Sequence, residues 1–298
     1  MRSVRKVATL ITAMAAAIAV AAPATAAAPA TADSIDAQIR HIATANDVTT
    51  GVWAQDLRTG RVIAAVNCEQ RYPVLSMSKV YLAAAVLDAA RHGLLRMDSR
   101  VPVHADHIVA NSPITSTYAG RTLNYSEIAK AALQYSDNTA ANLMFAAIGG
   151  PLGVTAYART AGDGATVMVR EETELNTAFP GDSRDTTTPR AWAAGLRSTM
   201  SGARLDPRDR VTLLGWMRGT HTSDKRFRAD LPAGWSTADK TGTGDYGTAN
   251  DAGVLYGPDG ALILLVIQTR SATNNSKATA RDSVIGQTAA LVTAHAAR

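Results

Sequence analysis

The stretch Leu75-Ser76-Met77-Ser78-Lys79-Val80-Tyr81-Leu82-Ala83-Ala84-Ala85-Val86-Leu87 decides how the rest of the chain is read. A helix this apolar has to be buried, and burial fixes the side chains at its start in one place. Ser76 and Lys79, three residues apart, share a face of that helix. A buried lysine loses charge stabilisation, so its neutral amine can accept a proton from the serine. Ser76 opens the helical pattern, where backbone N–H groups have no partner and can hold a developing oxyanion. A nucleophile, a base and half of an oxyanion hole therefore fall within one helical turn. The pattern is weak alone, since Ser3-Val4-Arg5-Lys6 also matches it, inside a segment that cannot be catalytic.

The bulk composition narrows the setting. With 298 residues, 46% hydrophobic and 18% charged, the chain reads as globular, holding one large domain or two smaller ones. The formal charge of +5 includes Arg2, Arg5 and Lys6; without them 27 basic residues face 25 acidic ones. No Lys/Arg block remains, which argues against a nucleic-acid partner. Those three residues, the apolar run Val7 to Val20 and the small residues around Ala24 to Ala28 read as a signal peptide over 1–28. The expectation is an exported protein, secreted or held in the periplasm or cell envelope. The leader is short of a full membrane span, and no later stretch is long and apolar enough to cross a membrane. Cys68, the single cysteine, cannot form an internal disulfide and reads as a small buried residue.

Periodicity organises the remainder. Ile35 to Ala45 is helical, capped by Asp33 or Ser34. Gly51 to Gln55 and Arg61 to Val66 flank a turn at Asp56 to Gly60. The Ser76 helix runs to about His92, with Gly93 as its stop. Helices are expected from Ser126 to Leu133, capped by Ser126, and from Asn138 to Ile148, closed by Gly149-Gly150-Pro151. Glu171 to Thr188 has no period and reads as a long loop, after which Thr188-Pro189 restarts a helix. Strands begin at Ala238, Ala252 and Ala261, the last two joined at Gly257 to Gly260, and Lys277 to His295 forms a final helix. The order predicts an α/β layer from 33–75 with 219–298, and an inserted helical domain over 76–218 that includes the loop at about 170–188.

Four separated segments carry polar chemistry: Ser76-Met77-Ser78-Lys79, Ser136-Asp137-Asn138, Arg170 to Asn176, and Lys240-Thr241-Gly242. The SxxK, SDN and KTG elements, in this order and spacing, resemble those of class A serine β-lactamases within the penicillin-recognising serine enzymes. The resemblance runs from about Asp33 to the C-terminus. It implies a β-lactamase/transpeptidase-like fold, an antiparallel sheet flanked by helices with an inserted all-α domain. It also implies hydrolysis of the lactam amide of penicillins and cephalosporins, and hence antibiotic resistance, by a monomer that needs no metal or organic cofactor.

Within that resemblance, Ser76 forms the acyl-enzyme. The proton of Ser76 goes to Lys79 directly, or to Glu172 through a water; both routes stay open. Glu171, Glu172 and Glu174 compete for the role of deacylating base. Only Glu172 precedes Leu175-Asn176 with the Glu-x-x-Leu-Asn spacing, and the other two read as a solvated face. Arg170 fits a loop-clamping ion pair with Asp185. The resemblance further gives Ser136 a proton relay to the lactam nitrogen, Asn138 a hydrogen bond to the acylamide side chain, and Asn176 a part in positioning water. Lys240, Thr241 and Thr243 meet the substrate carboxylate beside Gly242, and the N–H groups of Ser76 and Thr243 complete the oxyanion hole.

The chain departs from common family patterns at two places. Ala249 stands where many members carry an arginine for the substrate carboxylate; aligning Trp216-Met217 and Leu231-Pro232 puts Arg226 where some members supply a substitute, the alternative being an ordinary surface arginine. Asn111 replaces an aromatic that often lines the site entrance before Ser-Pro. Other motifs carry nothing: Gly242 to Gly247 matches G-x-G-x-x-G with an extended segment after it, His104-Ala-Asp-His107 has no further histidine pattern, and no Gly-x-Ser-x-Gly elbow occurs. Two rival readings stand beside the β-lactamase one. One is a D,D-peptidase or penicillin-binding enzyme, against which the Glu172–Asn176 spacing argues; the other is a non-catalytic β-lactam sensor.

Overall fold

A computed structural model of the protein describes residues 34–202 and 204–296. The expected signal peptide lies outside them. In chain order the first elements are α1 (Ile35–Ala45), β1 (Val48–Asp56), β2 (Val62–Val66) and β3 (Tyr72–Pro73). Next come α2 (Ser78–Arg91), β4 (Arg100–Pro102), β5 (Thr122–Asn124), α3 (Tyr125–Gln134), α4 (Asn138–Ala147) and α5 (Pro151–Thr160). The chain continues with β6 (Thr186–Thr187), α6 (Pro189–Met200), α7 (Pro207–Arg218), β7 (Ser236–Gly244), β8 (Thr248–Tyr256), β9 (Leu262–Ser271) and α8 (Asp282–Ala296).

Five strands form one sheet in the order β2-β1-β9-β8-β7, every neighbouring pair antiparallel. The pairing of β1 with β9, Val48 opposite Ser271 through Asp56 opposite Ile263, joins the two ends of the chain. Both ends of the described chain therefore contribute strands to one antiparallel sheet. The middle of β9 is buried on both faces, which is why Leu262 to Ile267 is continuously apolar and does not alternate. One face packs on α1 and α8 through Ile39, Ile285 and Val292; the other shares a core with the inserted helices through Trp53, Val266, Leu133 and Trp192.

The helix α2 lies in the middle of that second core. Val80, Tyr81, Leu82, Ala83, Ala84 and Val86 are all buried, as their unbroken apolar run requires. Tyr81 donates to Asp163 Oδ2 at 3.1 Å and packs on the Trp192 ring. Gly195 makes that approach feasible, since a Cβ there would lie 1.9 Å from the Tyr81 hydroxyl.

Several boundaries differ from the expectation. Ser76 precedes α2 in a 3₁₀ turn over Leu75–Met77 instead of opening the helix. Asn124, not Ser126, caps α3, because it forms a reciprocal capping box with Glu127. Pro151 does not close a helix but begins α5, where its missing N–H costs nothing. The last helix starts at Asp282 and not Lys277, since Asn275 and the following residues form a turn. Among the described residues no single helix is long and apolar enough to cross a membrane.

Candidate active site

The nucleophile is held by what precedes it. β3 pairs with β6, Tyr72 opposite Thr187, and the Val74 N–H donates to Asp185 O at 2.8 Å. Leu75 then takes φ 54°, a left-handed conformation unusual for a branched residue, and turns the chain so that Ser76 enters the cleft. Lys79 follows one turn later in the first turn of α2, its side chain fully buried.

Four residues from three of the polar segments meet at Lys79. Its Nζ lies 2.6 Å from Ser76 Oγ, 2.6 Å from Glu172 Oε1, 2.8 Å from Asn138 Oδ1 and 3.2 Å from Ser136 O. The lysine expected to be buried and uncompensated thus has a carboxylate in contact, both side chains sealed from solvent. Ser76 Oγ also donates to Glu172 Oε1 at 3.3 Å. Proton exchange among Ser76, Lys79 and Glu172 can follow hydrogen bonds already in place.

Glu172 is the acid of its loop that reaches this network. Glu171 and Glu174 are exposed, in keeping with a solvated face, while Glu172 is buried. Its second oxygen accepts from Asn176 Nδ2 at 2.5 Å, and Asn176 Oδ1 has no donor among the described residues. Asn142 on α4 brackets the Glu172 backbone, accepting from its N–H at 3.0 Å and donating to its carbonyl at 2.8 Å. Sequence reading missed Asn142. Its position four residues after Asn138, on the same face of α4, was the available signal.

The loop carrying Glu172 is clamped at its ends. Arg170 Nε meets Asp185 Oδ2 at 2.5 Å, the pairing expected from the sequence. Asp185 Oδ1 accepts from the N–H groups of Val169 and Arg170 at 2.6 and 3.0 Å, so one buried carboxylate ties side chain and backbone together. Because Asp185 also binds Val74 through its own carbonyl, the loop and the nucleophile's approach form one unit.

Ser136 arrives at φ 57°, with the following Asp137 holding the turn. Asp137 accepts from the N–H groups of Ile114, Thr115 and Ala140 and from Thr115 Oγ1. Asn111 joins the same turn, its carbonyl accepting from the Asn138 N–H at 3.0 Å. Asn138 Oδ1 is committed to Lys79 and its Nδ2 to Ala110 O at 2.9 Å.

Across the cleft lies β7. Lys240 Nζ donates to Ser136 Oγ at 3.0 Å, and Ser136 Oγ is also 3.4 Å from Lys79 Nζ. Burial, and after it the positive charge of Lys79, push Lys240 well below an ordinary lysine pKa. Gly242 lets the strand edge approach the nucleophile: a Cβ there would sit 2.8 Å from Leu75 Cβ and 3.1 Å from Ser76 N. Thr241 shares a hydrogen bond with Thr222 at 2.6 Å, a contact that sequence reading did not foresee. Arg226 is not a surface arginine but buried. Its Nη1 donates to Gly242 O and Asn250 O at 2.7 and 2.8 Å, Nη2 to Thr243 Oγ1 at 2.6 Å, and Nε to Asp282 at 3.0 Å. All the candidate residues therefore border one cleft of about 350 Å³ or the buried polar network behind it.

Known proteins resemble this chain over most of its length. The family model described as the beta-lactamase enzyme family matches residues 34–296. A beta-lactamase of Streptomyces fradiae is 40% identical over 88% of this chain and 86% of its own. A carbapenem-hydrolyzing beta-lactamase, KPC, of Klebsiella oxytoca is 40% identical over 76% of this chain and 78% of its own. Among solved structures, a β-lactamase from Desulfarculus baarsii superposes with a TM-score of 0.83 at 38% identity, covering 87% of this chain and 95% of that one. An ancestral class A β-lactamase of Gram-negative bacteria superposes at 0.84 and 41% identity, covering 88% and 99%.

Proposed function

The chain belongs to the beta-lactamase enzyme family, and on that premise we propose that it hydrolyses the lactam amide through an ester on Ser76 that a Glu172-activated water releases. Ser76 Oγ adds to the lactam carbonyl carbon while its proton passes to Lys79 or Glu172, both of which touch it. The carbonyl oxygen takes up the negative charge between the Ser76 and Thr243 N–H groups. The C–N bond then breaks, and the departing nitrogen receives a proton through Ser136 Oγ, which bridges Lys79 and Lys240. Arg226, Thr241, Thr243 and Lys240 hold the substrate carboxylate, and Asn138 meets its acylamide side chain.

Deacylation separates this reading from a penicillin-binding enzyme or a sensor, which would keep the ester. The observation that carries it is the placement of Glu172: its carboxylate is 3.3 Å from the nucleophile and held by Lys79 and Asn176, while Asn142 holds its backbone. A water beside Ser76 finds an acceptor there and a second one in Asn176 Oδ1. We further propose export by the leader over 1–28, in keeping with a substrate met outside the cytoplasm.

The test is to mix the mature protein with excess benzylpenicillin and follow intact mass together with free penicilloate. Rapid product with little steady-state adduct is expected. A stoichiometric adduct that persists moves the protein to the peptidase or sensor branch, and neither adduct nor product refutes the reading outright.

A further inference from the structure

Two aspartates behind the substrate-facing edge of β7 have no part in the chemistry above. Asp239 immediately precedes Lys240, and Asp251 on β8 lies directly across from Thr241. Asp239 and Thr241 share a face of β7, so Asp251 projects to the same side as both. Neither aspartate has exposed surface. Asp239 Oδ1 accepts from Thr237 Oγ1 and lies 3.6 Å from Arg228 Nη2. Asp251 Oδ2 accepts from Ser223 Oγ at 3.1 Å and from the Phe227 N–H at 3.2 Å. The other two oxygens, Asp239 Oδ2 and Asp251 Oδ1, have no hydrogen-bond donor among the described residues. Two neighbouring carboxylates buried this deeply cannot both remain ionised when, among the described residues, Arg228 is the one cation within ion-pair distance.

We propose that Asp239 and Asp251 share one proton, carried on Asp251 Oδ1 and donated to Asp239 Oδ2, and that the neutral Asp251 positions Arg226. The asymmetry follows from the partners. Thr237 and Arg228 favour the ionised form of Asp239, whereas Asp251 meets only a hydroxyl and an amide N–H on its other oxygen. Burial first, then the charge of Asp239, push Asp251 well above the usual carboxylate range. The remaining charges near the pair are Arg226 from the Ser223–Phe227 turn and Lys240 from β7.

Asp251 Oδ2 binds both ends of that turn, which the Arg226 N–H closes onto Ser223 O at 2.8 Å. From the turn, Arg226 reaches Gly242 O and Thr243 Oγ1, and Thr222 reaches Thr241. An ionised Asp251 would be repelled by Asp239 and would loosen this anchor; a protonated one donates to Asp239 and keeps its second oxygen for the turn. The positioning role rests on the proposed contact of Arg226 with the substrate carboxylate. The shared proton does not.

Infrared difference spectra of the parent against Asp251→Asn test the proton directly. At neutral pH the parent should show the carbonyl stretch of an un-ionised carboxyl that the variant lacks; no difference overturns the shared proton. Stability gives a second readout. A carboxyl that keeps its proton to higher pH when folded makes folding less favourable as pH rises from its unfolded pKa to its folded one. Asparagine does not titrate, so the Tm of Asp251→Asn should gain on the parent as pH rises above about 4, where an unfolded aspartate ionises, and a constant difference overturns the proposal.

Kinetics test the positioning. Asp251→Ala should raise KM for benzylpenicillin about tenfold with a smaller change in kcat, and Asp251→Asn, which keeps the acceptor for Ser223 and Phe227, should reverse the rise. An unchanged KM in Asp251→Ala overturns the positioning role. If that variant does not fold, a tenfold KM rise in Asp251→Asn does so instead. A parent that hydrolyses no β-lactam refutes the proposed function and leaves the infrared and stability results intact.

Discussion

Replacing Glu172 by glutamine separates the two halves of the proposed reaction. The carboxylate and the Lys79 ammonium are 2.6 Å apart, and both side chains are fully buried. Breaking such a pair costs about 3–5 kcal/mol. Glutamine retains an oxygen for Lys79, and Asn138 Oδ1 and Ser136 O stay 2.8 and 3.2 Å away, so a loss near about 3 kcal/mol is expected. The new amide would meet Asn176 Nδ2 as donor against donor, but a flip of Asn176 presents its unpartnered Oδ1 instead. The fold should therefore survive with a lowered Tm. Loss of a general base slows its step by about 10²–10⁴, and here that step is attack of water on the ester. Intact mass spectrometry after mixing with benzylpenicillin should show a stoichiometric adduct on Ser76, with steady-state penicilloate release reduced by about the same 10²–10⁴. Unchanged turnover removes Glu172 from the mechanism. A comparable fall in turnover with no adduct would place its contribution in acylation and refute the deacylation role argued here.

Three further outcomes follow from the same geometry. Ser76→Ala should give no covalent adduct with benzylpenicillin in intact mass; a surviving adduct would put the nucleophile elsewhere. Asp185→Ala removes the buried partner of Arg170 and the acceptor for two backbone N–H groups, so thermal or denaturant unfolding should show a loss of about 3–5 kcal/mol, with ester release slowed as the Glu172 loop loosens. A variant as stable as the parent would show that the clamp is dispensable. Lys240, whose pKa burial and Lys79 depress, loses its charge as pH rises through that lowered value, before a free lysine at about 10.4 would. The kcat/KM for penicillin should therefore fall on the alkaline side, and Lys240→Arg should move that fall to higher pH; an unmoved profile would assign it to another group.

Much of this protein is written locally. The run from Val80 to Leu87 demands burial whatever surrounds it, so Lys79 enters the interior and Ser76 stands at its edge. The apolar stretch at Ile263 to Ile267 forces a strand covered on both faces, and Ser34 caps α1 as its chemistry allows. Chain order and motif spacing brought Ser76, Ser136, Glu172 and Lys240 into a single reading through their resemblance to the motifs of class A serine β-lactamases. Where local signals competed, the reading slipped. Gly149-Gly150-Pro151 looks like a stop but also starts α5, since proline without an N–H suits a first turn as well as a break.

Tertiary structure decided the rest, because contacts between distant segments leave little trace in spacing. It brought the Glu172 carboxylate into contact with Lys79 and hung the Glu172 backbone from Asn142 on α4. It also buried Arg226 against Gly242 and Thr243, where the linear sequence allowed an ordinary surface arginine. The pairing of Asp239 with Asp251 could not be read at all. Each is the one acid of its strand, and only the register of β7 on β8 turns two isolated carboxyls into one buried pair. Burial, register and the approach of strand edges are properties of the assembled sheet, whereas propensity and periodicity belong to the chain itself.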